Sequence, residues 1–204
     1  MIDNYKDLPL GIYEQICAVK RDEEIDTQVA VIALLSGCTE REVLNLPIAE
    51  YAARSAAAGF LAAPPEKLPR VADAYRAGGF KLVPTRDLRK LTAAQYIDFQ
   101  AFAPDADHRL VEILSCFLVP DGCKYGDGYD IDAVHAAIRE LSVADALALS
   151  AFFFGRYAAL IRSTRISLER MRKRERDPEK RARIAESLAR LKTAGEALGA
   201  GLRA

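Results

Sequence analysis

Val143-Ala144-Asp145-Ala146-Leu147-Ala148-Leu149-Ser150-Ala151-Phe152-Phe153-Phe154-Gly155-Arg156-Tyr157 opens a stretch that runs without proline to Arg176 and then meets Asp177-Pro178-Glu179. Ser142, with Asp145 three residues on, supplies an N-cap for it. A helix from Val143 to Arg176 would be roughly 50 Å long, more than a compact core needs. Asp177-Pro178-Glu179 restarts a helix: Asp caps it, Pro sits where its missing N–H is no loss, and Glu suits the positive end of the dipole. Beyond it, Ile184, Leu188, Leu191, Gly195, Leu198 and Leu202 alternate four and three apart, a narrow coiled-coil-like stripe. Either the chain folds back as an antiparallel hairpin, or one helix kinked at Pro178 shows its stripe to another chain. The hairpin is preferred, because short connections join antiparallel neighbours. It would set Met171 against Ile184, Thr164 against Leu191, Leu160 against Gly195, Tyr157 against Leu198 and Phe153 against Leu202.

Working outward, the charge divides at the same place. The 204 residues carry 29 basic and 29 acidic side chains and no formal net charge, which argues against a protein that coats nucleic acid over its whole surface. That zero is a cancellation: residues 1–155 hold 15 basic and 23 acidic groups, net −8, and residues 156–204 hold 14 and 6, net +8. The expected organisation is an acidic helical body over 1–142 and a basic extension over 143–204 made of the long helix and its antiparallel partner. Arg162, Arg165, Arg170, Arg172, Lys173, Arg174, Arg176, Lys180, Arg181 and Arg183 crowd the bend. They form either a solvated surface or a contact for an acidic protein or a nucleic acid. Attraction between body and extension would dock the hairpin or draw a second copy of the chain alongside, most strongly at low salt.

The body reads as helices over Leu8 to Lys20, Ile25 to Leu35, Glu40 to Leu46, Pro47 toward Phe60, Ala93 to Phe102 and Arg109 to Val119. Thr39 with Glu42, and Thr92 with Gln95, are capping boxes, each side chain satisfying an orphan amide. Three prolines (Pro64, Pro65, Pro69) interrupt the helical texture. Runs at Arg70–Arg76 and Phe80–Val83 around Ala77-Gly78-Gly79 then point to a small β-hairpin near 70–83, with one or two helical turns over Val71–Ala77 as the alternative. Asp132 is expected to start a further helix. The fold class is therefore mainly α.

Chemistry-bearing patterns are sparse. Cys17, Cys38, Cys116 and Cys123 lack zinc-knuckle or redox spacing, and read as separate reduced thiols. Asp127, Asp130 and Asp132 do not match the calcium-loop spacing. His108 and His135 stand beside no nucleophile motif, and neither glycine cluster completes a phosphate-binding loop. Thr39 to Leu46 looks like the first helix of a helix-turn-helix, but Pro47 follows at once and no basic recognition helix comes after it. No catalytic residue, metal or cofactor is expected. No apolar run approaches the ~20 residues of a bilayer span, since Leu147–Ile161 is interrupted by Ser150, Gly155 and Arg156. Met1 to Lys20 has no secretory pattern. A cytoplasmic protein is expected.

Either Tyr96, Phe99 and Phe102 or Gln95, Phe99 and Phe102 share one face of the Ala93–Phe102 helix, and Phe152-Phe153-Phe154 span about 200° of theirs, too wide an arc for one core. Lys90-Leu91-Thr92-Ala93-Ala94-Gln95-Tyr96-Ile97-Asp98-Phe99-Gln100 resembles the tail assembly chaperones of long-tailed phages and prophages. Leu34-Leu35-Ser36-Gly37-Cys38 with Glu42–Leu46, Leu118-Val119-Pro120 leading into Tyr125-Gly126-Asp127-Gly128-Tyr129-Asp130, and Asp145 ahead of Phe152–Phe154 extend it over roughly Ile32 to Ile161. The resemblance implies a mostly helical, non-enzymatic protein of the bacterial host cytoplasm. Such a protein is absent from the finished virion and holds tape-measure or tail-tube protein soluble until the tube polymerises. The basic hairpin has no counterpart in that pattern. The expected partner-binding residues are Tyr96, Phe99, Phe102, Phe152 and Phe154, with Arg172, Lys173, Arg174 and Arg176; for the aromatic ones a place in the core is the commoner alternative. Two other classes stay open: a structural tail or baseplate component, and a nucleic-acid-binding regulator using the basic hairpin.

Overall fold

The computed structural model describes residues 1–106 and 108–201, and their side chains except 190 and 193–201. It is mainly α: α1 (Leu10–Ala18), α2 (Glu24–Ser36), α3 (Glu40–Leu44), α4 (Ile48–Ala57), α5 (Ala93–Phe102), α6 (Leu110–Ser115), α7 (Ile131–Glu140), α8 (Val143–Arg174) and α9 (Pro178–Gly201), with strands β1 (Tyr75–Ala77), β2 (Phe80–Pro84) and β3 (Leu118–Pro120) in the order β1-β2-β3. Two compact units share the chain by turns: 1–82 with 128–149, and 83–127 with 150–204. The division does not follow a 142/143 boundary, because the first seven residues of α8 are part of the first unit's core.

In the first unit the local signals act as written. The Thr39 hydroxyl accepts from the Glu42 amide and the Glu42 carboxylate accepts from the Thr39 amide at 2.7 Å, while Gly37, at φ +64°, closes α2. Val29, Ile32, Ala33 and Val43 form one buried cluster; Leu8, Leu35 and Val143 form another. The second depends on an antiparallel bridge between Pro9 and Ser142. Leu10 N–H donates to Leu141 C=O and Val143 N–H to Leu8 C=O, both at 2.8 Å. These bonds clip the amino-terminal segment to the α7–α8 junction and bury Leu8, Leu10, Leu141 and Val143.

The β-hairpin is real but shorter than the sequence runs around it. Tyr75 pairs with Leu82, Arg76 with Lys81 and Ala77 with Phe80. Gly78 and Gly79 both take positive φ, 54° and 78°, as a type I′ turn demands. Residues 70–74 stay outside the strand, and no helical turn forms over Val71–Ala77. Gly78 N–H donates to the Glu140 carboxylate at 2.6 Å, fastening the turn to α7.

Three other boundaries differ. The helix expected over Arg109–Val119 ends at Ser115, and Leu118–Pro120 becomes β3; Thr85 N–H reaches Phe117 C=O at 2.8 Å, and a non-local pairing wins over helical spacing. Helix α7 is capped by Asp130, whose carboxylate accepts from the Asp132 amide, so Asp132 lies inside the first turn. Third, Ser150, Gly155 and Arg156 do not interrupt α8. It stays one helix of 32 residues, and among the described residues it is the helix long and apolar enough, by length and composition, to cross a membrane; 39% of its most apolar stretch is buried inside the fold.

In the second unit α8 and α9 make the antiparallel hairpin. The Asp177 carboxylate caps α9 by accepting from Glu179 N–H at 2.9 Å. The fold-back follows from a third element: Gln100 of α5 bonds the Tyr157 hydroxyl, at the middle of α8. Ala103–Asp105, just after α5, packs against α9. A helix continuing outward from Arg174, about 25 Å beyond Tyr157, could not reach that segment. Thr164, Leu168, Ile184, Leu188 and Leu191 are half-buried along the seam. Met171, expected opposite Ile184, is 54% exposed close to the bend of the hairpin. The pairings expected for Gly195 and Leu198 involve side chains outside those described, and Leu202 lies outside the described residues.

Gly78 gives a direct test. A Cβ there would stand 2.6 Å from the Ala137 Cβ and 2.9 Å from its Cα, at positive φ; at Gly37, also positive in φ, nothing lies within 4 Å. Gly78→Ala should cost about 2–4 kcal/mol, from strain plus overpacking, and Gly37→Ala about 1 kcal/mol. Urea unfolding of the two variants measures the difference.

Candidate functional site

The residues singled out by sequence meet in the second unit, around α5. The Thr92 hydroxyl accepts from the Gln95 amide, and the Gln95 side-chain oxygen accepts from the Thr92 amide at 2.9 Å. The same Gln95 is buried and sends its NH₂ to the Cys116 carbonyl at 2.8 Å, so one side chain both caps α5 and ties it to the end of α6. This fixes which face of α5 turns inward.

Phe99 is on that inward face, 1% exposed. Its ring lies 5.1 Å from Phe117, 6.0 Å from Phe154 and 4.9 Å from Tyr157, mostly edge-on. Phe117 stacks on Phe153 at 4.3 Å. Each such pair adds about 0.5–1.5 kcal/mol beyond the area it buries. Phe99 and Phe154 are thus core residues, and a partner does not reach them in this fold. Burial raises the Tyr157 hydroxyl's pKa, with Tyr96 beside it adding to the shift.

The remaining expected residues lie at the surface or the rim. Tyr96 is 44% exposed, and its neighbour Ile97, which sequence reasoning missed, is 63% exposed. Phe102 and Phe152 are half-buried, and each carries an arginine over its ring, Arg109 at 5.4 Å and Arg156 at 5.2 Å. The Phe152–Arg156 spacing of four was the signal that could have found the second pair. Arg172, Lys173, Arg174 and Arg176 are exposed at the bend, on the second unit but not in the aromatic cluster. What emerges is an apolar edge of α5 over a rigid aromatic core, with a basic hairpin as a separate feature.

A half-buried polar chain also runs through this unit. The Tyr125 hydroxyl donates to the Asp98 carboxylate at 2.8 Å and lies 3.8 Å from the Cys116 sulfur. Burial, chiefly, pushes the Cys116 thiol up to about 12 and also raises the Tyr125 phenol. A thiol held neutral this way is no nucleophile near pH 7. Cys17, by contrast, is exposed. Among the described residues, no three His, Cys, Asp or Glu groups gather to hold a metal.

Comparison with known proteins finds no family model, no curated protein and no solved structure that matches this chain.

Two outcomes follow. Phe99→Ala should destabilise the protein by about 3–5 kcal/mol in urea unfolding, and Ile97→Ser by no more than about 0.5 kcal/mol. Because the native fold raises the Cys116 pKa from 9.0 to about 12, that group's contribution is intact below pH 9 and is lost as pH rises from 9 toward 12. Thermal unfolding followed from pH 8 to 11 should show a steeper alkaline decline in the native chain than in Cys116→Ala.

Proposed function

We propose that this chain is a non-enzymatic phage tail assembly chaperone that binds tape-measure or tail-tube protein before the tube polymerises. The observation that carries the reading is where the resembling segment lies in the fold. Lys90–Gln100 contributes the capping box and most of α5, and α5 turns Phe99 and Gln95 into the core while leaving Tyr96 and Ile97 outside. An apolar edge on a helix fixed from behind suits an apolar helical client: the core holds α5 in place, so little ordering entropy is lost when the client docks. Phe102 and Phe152, half-buried under arginines, flank the same aromatic core and would extend the contact. In this reading the protein acts by covering client surface, and the client leaves when tube subunits cover that surface instead.

Co-expression tests it. Tape-measure or tube protein made together with this chain should stay soluble, and Ile97→Asp combined with Tyr96→Ala should send the client to the pellet while the variant itself stays folded by circular dichroism. Aggregation of both clients beside the native chain overturns the proposal. Recovery of the chain at stoichiometric levels in purified particles would replace it with the structural-component reading.

A further inference from the structure

A hollow of about 330 Å³ in the second unit lies outside the α5 edge. One wall is the turn after β2, with Arg86, Leu88 and Arg89; the other is one face of α8, with Arg156, Leu160 and Ser163. Arg86, Arg89 and Arg156 bring three guanidiniums to its lining, and Asp87 brings a carboxylate. That carboxylate is already engaged: Arg89 Nε donates to Oδ1 at 2.9 Å and Arg89 Nη2 to Oδ2 at 3.0 Å. Arg89 is thereby held in place, and Arg156 is held by its seat over the Phe152 ring. Leu88, 8% exposed, is the most deeply buried of the apolar lining residues. Two pre-positioned guanidinium forks above an apolar base suit a carboxylate on a short apolar stem, since the planar fork matches a carboxylate in two-point geometry and its order is established before binding.

The hollow also begins a track. Helical periodicity sets Arg156, Ser163, Arg170 and Arg174 on one face of α8, with Lys173 at its margin, on a stripe distinct from the half-buried seam of Thr164 and Leu168. Arg156 to Arg174 spans about 27 Å, and Arg170, Lys173 and Arg174 are exposed.

We propose that the Arg86/Arg89/Arg156 hollow and the α8 face running from it to the hairpin bend form a docking surface for an acidic polypeptide segment, one carboxylate seated in the hollow and others along the track. Charge complementarity commits the surface to an anion. The choice of polypeptide over nucleic acid rests on the lining, which has no aromatic ring on which a base could stack. The inference stands apart from the chaperone reading, because neither client protein enters its test.

The probe is a fluorescein-labelled, glutamate-rich peptide of about 20 residues, titrated with the full chain and followed by fluorescence anisotropy, with single-stranded oligo-dT of equal length as competitor. Binding is expected near 50 mM salt and should weaken steeply toward 300 mM. Arg89→Gln with Arg156→Gln should weaken it about tenfold or more. Arg170→Glu with Arg174→Glu, both exposed and safe for folding, should weaken it as well. Arg21→Gln with Arg41→Gln, in the first unit, should leave it within roughly twofold. No peptide binding at low salt, an equal loss in the Arg21/Arg41 control, or displacement of the peptide by oligo-dT at lower concentration than by unlabelled peptide would each overturn the proposal.

Discussion

Three consecutive phenylalanines on one helix cannot all enter one core, and the second unit is built around the way they are shared out. Phe153 stacks on Phe117 and Phe154 turns toward Phe99, while Phe152 stays at the rim beneath Arg156. These ring contacts fix the rotation of α8 about its axis. With the rotation fixed, every later position on α8 is committed: Tyr157 points to Gln100, Thr164 and Leu168 form the seam for α9, and the arginines fall on the faces left over. The basic character of the hairpin surface follows from aromatic packing some 10 to 20 residues upstream, at roughly 1.5 Å of rise per residue.

The first unit rests on a different device. Its helices are short; a left-handed glycine, Gly37, closes α2 and a capping box at Thr39 opens α3. Isolated helices of this length are marginal in water, so their order comes from burial. The Pro9–Ser142 bridge supplies the closure: two backbone hydrogen bonds join segments more than 130 residues apart and bring Leu8 and Val143 into one apolar cluster. The net charges of −8 and +8 do not coincide with these two units, since the second contains both the basic hairpin and the acidic loop residues up to Asp127. Charge in this chain describes faces of the structure more than it describes compact units.

How much of this was legible in the sequence depended on the range of the interaction. Capping boxes at Thr39 and Thr92, the Gly78-Gly79 turn, the Asp177 cap and the helical hairpin are written in residues a few positions apart, and they stand in the structure as read. What failed was non-local. Nothing within Arg109–Val119 announces that Leu118 will join a strand some 35 residues earlier, and helical spacing there is overridden by sheet pairing. Of the partner-binding residues expected from sequence, Phe99 and Phe154 are core, because periodicity identifies an apolar face without saying what covers it. Ile97 went unnoticed because a single exposed isoleucine has no pattern. The Arg86/Arg89/Arg156 hollow joins positions about 70 residues apart and carries no local signature at all.

The bridge at Ser142 also governs the order in which a growing chain can acquire structure. A protein emerges from the ribosome amino end first and commonly folds unit by unit as each is completed. Here the units are interleaved: the amino-terminal helices lack α7, the Ser142 bridge and the start of α8 until residues 128–149 have emerged, by which time 83–127, nearly half of the other unit, is already outside. Neither unit can finish while the other has yet to begin. For much of its synthesis the chain therefore holds Leu8, Leu35 and the aromatic face of α5 uncovered, and it depends on late-made residues to hide early-made ones. A protein proposed to shelter the apolar surface of others passes through translation with the same exposure itself.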